Sequence, residues 1–448
     1  MFRDDSASSV VGSSTGGSEY GVDTLVMSAS DLGVPSGGKV MLSISGGTAD
    51  YEEEVEVSDD GMVYFQIPRQ RVGSRITVSI AVMRADGSIV RSGSKTMLVT
   101  DGCQFSVTLI NGSPVVLPAT LKSASSINSI LTSLGAGSGG AARSFSPSLT
   151  PPPEGTETYE LSSSGSGVQV LAWLDGETIR YYADGMDACG IIRLPTVSSS
   201  MFKDCESLTS IDMSGFDASG VARMDMMFYH CSNLTSVNLS GWDTSKVTDM
   251  SWMFSHCSNL RSVDLSGWDT SRVSNMNNMF AFSGIRSVDL SGWDTSKVTN
   301  MSQMFYYSSL RSVNLSGWNT SRVTSMSRMF CECSGLTSVD VSGWDTSRVT
   351  NMSEMFDNCW RLTSLDLSGW NTSNVTNMSK MFNSCQSLTT IYASSSFVTD
   401  NVTDSSSMFD WCYRLVGGAG TAYSSSDEYA AYARIDGGPS APGYFTAR

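Results

Sequence analysis

Two histidines, ten cysteines and a periodic set of aspartates hold most of the chemical capacity of this 448-residue chain. His230 and His256 each stand beside a cysteine, Cys231 and Cys257, which raises a Cys2His2 zinc site. Zinc requires ligands that converge tetrahedrally. Neighbouring residues on a turn point in different directions, so His230 and Cys231 do not converge, and both histidines are read as exposed. Nucleophilic catalysis needs a base oriented by a third group, and two histidines placed by a repeat offer none. No P-loop, strand-following Gly-x-Gly-x-x-Gly or His-Glu-x-x-His is present. A carboxylate pair for glycoside cleavage would be one distinct pair, whereas the aspartates here recur. The sequence predicts no enzyme, no cofactor and no metal.

Seven cysteines form a column. Cys205, Cys231, Cys257, Cys333, Cys359, Cys385 and Cys412 each lie three residues after the Phe of a Met-Phe pair, and Ser283 and Ser308 replace the cysteine in the two units between. Disulfides between neighbouring units would use the column in pairs and strand one of the trio Cys205, Cys231 and Cys257. Free, buried thiols serving as small apolar fillers are therefore predicted.

The column exposes the organisation that positions it. The Phe of the pair falls at 202, 228, 254, 280, 305, 330, 356, 382 and 409, a spacing of 25 to 27. A period in the twenties predicts a stacked array. In one unit, Leu234, Val237 and Leu239 follow L-x-x-L-x-L, with the last two on the buried face of a short strand and Asn238 and Ser240 facing out. Val247, Met250, Met253, Phe254 and Cys257 then recur at intervals of three and four, which predicts one face of a short helix or helical turn with Thr248 as N-cap. Strands are expected at about 236–240, 262–266, 287–291, 312–316, 338–342 and 364–368 in one parallel sheet. The fold class is mainly β with short helical turns: a leucine-rich-repeat-type solenoid with a parallel sheet, preceded by a small antiparallel β-sandwich.

The remaining columns follow. Trp242, Trp268, Trp293, Trp318, Trp344 and Trp370, with Phe216 at the start, sit where such repeats hold an inward residue, so a buried aromatic stack is preferred to sugar stacking. The Asp-Thr-Ser after each is turn chemistry. Asp212, Asn238, Asp264, Asp289, Asn314, Asp340 and Asp366 are expected to project from successive strands as a hydroxyl-flanked acidic ribbon, and Asp264, Asp289, Asn314, Asp340 and Asp366 are the candidate binding residues. Lys246, Arg272, Lys297, Arg322 and Arg348 form a basic ladder at the turn.

The block Leu-Thr-Ser-Val-Asp-Leu-Ser-Gly-Trp-Asp-Thr-Ser-x-Val-Thr-x-Met-Ser-x-Met-Phe-x-x-Cys resembles the BspA-like leucine-rich-repeat surface proteins of bacteria, over roughly 200–412. Val170-Leu171-Ala172-Trp173-Leu174-Asp175-Gly176 with Tyr181-Tyr182, and Tyr432 to Pro439 with Pro442-Gly443-Tyr444-Phe445, look like that family's ends. The resemblance implies a secreted or surface-anchored protein used in adhesion. No secretory signal is visible after Met1-Phe2-Arg3.

Along the chain, 1–21 is expected to be disordered, 22–110 an immunoglobulin-like sandwich from alternating runs such as Lys39-Val40-Met41-Leu42-Ser43-Ile44, and 111–160 a flexible linker from its Gly and Pro runs, with a short helical segment near Leu121-Lys122-Ser123-Ala124. Residues 161–200 and 413–448 are the expected caps of an array at 201–412. Charged residues are only 16% and the net charge is −16. That balance disfavours nucleic acid and anionic lipid, and no apolar run reaches the roughly 18 residues that span a bilayer. The expected function is a non-enzymatic interaction protein at a cell surface or outside it, binding a host or neighbouring-cell protein or glycan. The alternatives are a surface polysaccharide hydrolase, or an array that only spaces a binding sandwich.

Overall fold

The computed structural model describes the strands between residues 7 and 111, and then residues 119–148, 150–164, 169–183 and 192–448. The described residues are mainly β, with several parallel sheets and no closed barrel among them. Ala124–Leu131 is the one α-helix among the described residues.

The alternating runs near the N-terminus form antiparallel strands. One six-stranded sheet has the order Ala7–Gly12, Phe105–Asn111, Ile89–Leu98, Arg75–Met83, Lys39–Ser45, Tyr51–Glu56, and Val22–Ser28 pairs with Met62–Pro68 in a second sheet. Val40, Leu42 and Ile44 are buried, as alternation on one face requires, and Ile80 to Met83 are buried on both faces. Residues 7–12, expected as disordered, instead pair with Phe105–Asn111 in full register, from Ala7 opposite Ile110 to Gly12 opposite Phe105. Their Ser-Ser-Val-Val run carries enough β-branched character to add an edge strand.

Within the expected linker the short helix near Leu121–Ala124 does form, at Ala124–Leu131, but from residue 119 the segment packs into the core instead of staying flexible. Ser123 caps the helix by accepting from the Ser126 amide at 3.3 Å, and Ala124, Ile127 and Leu131 form its buried face. Leu134, Ala142 and Phe145 continue the same core. The Gly run that suggested flexibility ends this helix: Gly135 has φ +90°, and a Cβ on Gly140 would lie 2.1 Å from the Gly135 carbonyl oxygen. Ser144–Pro147 then lies parallel between Thr178–Ala183 and Ser210–Asp212. It carries the first unit's sheet onto the hairpin of Val170–Asp175 and Thr178–Ala183. Phe145 stacks on Tyr181 at 4.7 Å and meets Phe202 edge-on at 5.2 Å.

From there each unit stacks on the next in parallel. The longest ladder runs through Val197, Arg223, Asp249, Asn275, Asn300, Ser325, Asn351, Asn377 and Asp404, every neighbouring pair bridged in parallel. The expected single sheet is broken into short ones: Ser210–Asp212 with Ser236–Asn238, Ser287–Asp289 with Ser312–Asn314, and Ser364–Leu367 with Thr390–Ala393 and Phe445–Ala447. No strand forms at 262–266 or 338–342. Strands of three residues offer only one or two ladder bonds per boundary, so a small shift between units removes the pairing.

The helical reading of 247–257 is also corrected. Amides at alternate positions donate to the next unit, Trp252 to Asn277, Phe254 to Met279 and His256 to Ala281, at 2.8–3.0 Å. The amides between them close tight turns, Ser255 onto Trp252 at 3.1 Å and Cys257 onto Phe254 at 3.4 Å. An α-helix would need all of these donors for its own i−4 carbonyls. Trp252 and His256 take φ of 60° and 61°, the left-handed conformation that reverses the chain between turns. Thr248 caps no helix, and its hydroxyl donates to the Ala222 carbonyl of the preceding unit at 3.1 Å.

Phe202, Phe228, Phe254, Phe280, Phe305, Phe330, Phe356, Phe382 and Phe409 form one buried stack with centroids 5.4–6.1 Å apart. Tyr444 and Phe445 close its far end edge-on to Phe409.

Candidate functional site

The inward columns are built from the residues picked out by their period. Trp242, Trp268, Trp293, Trp318, Trp344 and Trp370 are between 0% and 6% exposed. Trp318 and Trp370 donate their indole N–H to the Leu290 and Val341 carbonyls of the preceding unit, both at 2.9 Å. A buried indole with its donor satisfied is a packing element and is closed to a sugar.

The seven column cysteines are buried and free. Each of Cys231, Cys257, Cys333, Cys359, Cys385 and Cys412 directs Sγ at a carbonyl of the Phe column one unit back, 3.0–3.1 Å away. Burial pushes the Cys205, Cys257, Cys333 and Cys412 thiols up to about 12, and Cys231, Cys359 and Cys385 well above their ordinary value. Thiolate chemistry is suppressed there. In the native protein these thiols are expected to resist a thiol reagent, and denaturation without reductant should release all seven. Recovery of three or fewer would mean that disulfides staple the units.

The histidines are partly buried rather than exposed. His230 Nδ1 lies 3.0 Å from Asp204 Oδ1, His256 Nδ1 lies 2.9 Å from Ser255 Oγ, and the two rings meet edge-on at 5.8 Å. Burial, and then the neighbouring His230, lower the pKa of His256. The adjoining thiols point inward at Phe202 and Phe228, so histidine and cysteine face opposite sides and no shared metal site forms.

The strand-face column lies at the surface: Asp264, Asp289, Asn314 and Asp340 are exposed and Asp366 is partly buried. Each also closes a turn by accepting from the amide two residues on. Asp264 Oδ1 takes the Ser266 amide at 3.1 Å and hydroxyl at 2.8 Å; Asn314 takes the Ser316 pair at 3.2 and 2.9 Å, and Asp340 the Ser342 pair at 3.1 and 2.7 Å. Asp289 and Asp366 accept the amides of Ser291 and Ser368. These bonds hold Asp264, Asp289 and Asp340 below the usual carboxylate range. Between units, Asn238 donates to Asp212 at 2.9 Å, so an Asn interposed at 238 or 314 relieves like-charge contact there, whereas Asp264 and Asp289, and Asp340 and Asp366, stand on neighbouring units. Beside it is a depression of about 370 Å³ floored by Val263, Val288 and Val313 and edged by Asp289 and Asn314. The basic ladder of Lys246, Arg272, Lys297, Arg322 and Arg348 is exposed.

Three groupings escape a reading by columns, because each is carried by a few units only. Arg261, Arg286 and Arg311 occupy the position before the strand and are exposed. His256, Phe282 and Tyr307 form an aromatic run, with rings 4.4 Å apart between His256 and Phe282 and 5.3 Å between Phe282 and Tyr307. Cys331, Glu354 and Asp357 bring their ligand atoms within 4.8 Å of one another. There Glu354 is held by Arg328 through two bonds of 2.8 Å and Asp357 by Asn383 at 2.7 Å, so the cluster already has its partners. At the C-terminal end a hydrogen bond with Asp410 raises Glu428 to about 7.

With this geometry in view, the comparisons are specific about where likeness lies. The family described as "Mycoplasma protein of unknown function, DUF285" matches three overlapping stretches, residues 196–312, 280–391 and 308–417, all within or at the edges of the stacked units. The array is therefore similar to a repeat-type family, and the overlaps follow from a repeat that can be aligned in more than one frame. No curated protein and no solved structure matches. No helix among the described residues is long and apolar enough to cross a membrane.

Proposed function

We propose that this chain is a non-enzymatic interaction protein of a cell surface, whose units form a leucine-rich-repeat-type solenoid of the BspA-like kind and bind a protein or glycan partner through the extended face of the array. The observation that carries this reading is the division of labour within each unit. Trp, Phe, Met and Cys columns are spent on the core, and exposed polar and charged residues recur at a fixed interval on the outside. Such a surface recognises extended partners by repetition rather than by enclosure. The strand face, with its valine-floored depression, is the surface to test first. A hydrolase reading draws no comparable support, since the recurring aspartates are engaged in turn closure.

The full chain, titrated against panels of glycans and of host-surface proteins, is expected to bind at least one class saturably. Asp264→Asn with Asp289→Asn keeps both turns, since Asn314 makes the same pair of bonds, and removes two charges. That variant is expected to bind with altered affinity and salt dependence. Unchanged binding would move the contact off the strand face, and no binding to either class would overturn the reading.

A further inference from the structure

The three arginines Arg261, Arg286 and Arg311 stand at equivalent positions of successive units. The Arg286 amide donates to the Arg261 carbonyl at 3.0 Å, and the Arg311 amide to the Arg286 carbonyl at 2.8 Å. Their backbones are thus adjacent rungs of one ladder, and the side chains leave it at a spacing of about 4.7–4.9 Å per rung. All three are exposed, and none makes an ion pair among the described residues. The chain as a whole carries a net charge of −16, so this is a concentrated positive edge on an acidic protein.

The flanking units show what this arrangement costs. Thr209, Thr235, Thr337, Thr363 and Thr389 occupy the same position on either side. The Thr235 hydroxyl donates to the Thr209 carbonyl at 2.9 Å, and Thr389 to Thr363 at 3.1 Å, tying unit to unit. The three central units give up that hydroxyl and place like charges on neighbouring rungs, which is unfavourable for folding. Arg261 reaches across to the Gly284 carbonyl at 3.4 Å, in the shortened turn that carries Phe282. A Cβ on Gly284 would meet the Ser258 carbonyl oxygen at 2.3 Å, so that turn is pressed against the unit before it. The same three units bear the aromatic run: His256 five residues before Arg261, Phe282 four before Arg286 and Tyr307 four before Arg311. Tyr307 is 56% exposed with φ of 56°, and Phe282 takes φ of 55°.

We infer that Arg261, Arg286 and Arg311, flanked by His256, Phe282 and Tyr307, form the subsite for a linear polysaccharide bearing carboxylate or sulfate groups, lying along the array from unit to unit. The inference rests on the binding function proposed above and names its ligand class. Guanidinium groups pair with such oxyanions in a planar, two-donor geometry. His256 and Phe282 face each other, and Tyr307, the most exposed ring of the run, supplies apolar area to a sugar; the rung spacing is near the rise of one sugar in an extended chain. A repeating ligand meets a repeating ladder, which a folded acidic protein does not.

The test titrates the full chain with polygalacturonate, dextran sulfate, neutral dextran and polyglutamate at low and high salt. Binding to polygalacturonate or dextran sulfate is expected, weakening with salt, and exceeding binding to dextran and polyglutamate; the first two arms distinguish carboxylate from sulfate. The variant Arg261→Thr, Arg286→Thr, Arg311→Thr places the neighbouring units' residue at each position and is expected to lose about tenfold or more in affinity. If it does not fold, the single variant Arg286→Gln is expected to shift affinity in the same direction. An equal loss of charge at Lys246, Arg272 and Lys297 should leave affinity unchanged. Polyglutamate bound as tightly, equal losses in the two triple variants, or no loss in the arginine variant would each overturn the inference. A chain that ignores both charged polysaccharides but binds another glycan or a protein overturns this inference alone, whereas a chain that binds nothing overturns the function it rests on.

Discussion

Replacing Trp318 by alanine should destabilise the array by about 3–5 kcal/mol, the usual cost of truncating a fully packed aromatic. Trp318 is 5% exposed, stacks on Trp344 with ring centroids 6.1 Å apart and planes 9° apart, and satisfies the Leu290 carbonyl through its indole N–H. Alanine removes the stacked area and one of the two bonds the Leu290 carbonyl accepts, the Trp293 amide at 3.1 Å remaining. Transfer and cavity losses therefore dominate, and the lost hydrogen bond adds to them. In a stack each unit contacts only its neighbours. The loss should therefore appear first as faster amide exchange between about residues 287 and 344, ahead of global unfolding. Trp318→Phe keeps most of the ring and should cost distinctly less. A Trp318→Ala protein less than about 1 kcal/mol weaker in denaturant, with unchanged exchange in those units, would contradict the assignment of this column to the core.

The core columns were legible because burial and sequence period coincide. Val288 and Leu290 alternate across a strand, and Met301, Met304 and Phe305 repeat identically in every unit from Met224 to Phe382, with Ser198 and Ser405 in place of the first Met at the two ends. The same repetition misled the reading of the turns. Spacings of three and four at Val247, Met250, Met253, Phe254 and Cys257 fit a helix, yet they arise equally from consecutive tight turns separated by left-handed residues. Those left-handed positions hold Trp252, Gln303, Arg328, Glu354 and Lys380 in one column. Asn278 in this column, and Asp204, His230, His256 and Asn358 in the companion column, are types that tolerate positive φ. Most units carry other types there, so the local signal is sparse and the hydrogen bonds to adjoining units impose the conformation. Residues 119–147 failed for the opposite reason. Glycines at 135, 137, 139 and 140 dominated the local composition, whereas the apolar Ile127, Leu131, Leu134 and Phe145 carried the information about burial. The arginine edge was hidden because it occupies three units, and column reasoning rewards what every unit shares.

Thr346→Val should cost about 1–3 kcal/mol although it only exchanges a hydroxyl for a methyl group of nearly the same shape. Thr346 is wholly buried and its hydroxyl donates to the Asn371 carbonyl of the next unit at 2.9 Å. The same bond recurs from Thr244 to Asp269, Thr270 to Asp294, Thr295 to Asn319 and Thr320 to Asp345, at 3.0–3.1 Å. Valine matches the branching of threonine but leaves the Asn371 carbonyl without its donor in a part-buried position, and an unmade bond there costs more than a made one contributes. Thr346→Ser makes the reverse exchange: it gives up one methyl group, worth about 0.8 kcal/mol of burial, and keeps the donor. The expected order of stability is therefore wild type, then Ser, then Val, read as midpoints in chemical denaturation with unchanged slope. If packing alone held the units together, Val would equal wild type and Ser would be the weaker variant. That reversed order would show that the threonine column fills space, and that the hydrogen bonds between units add nothing the methyl groups do not already supply.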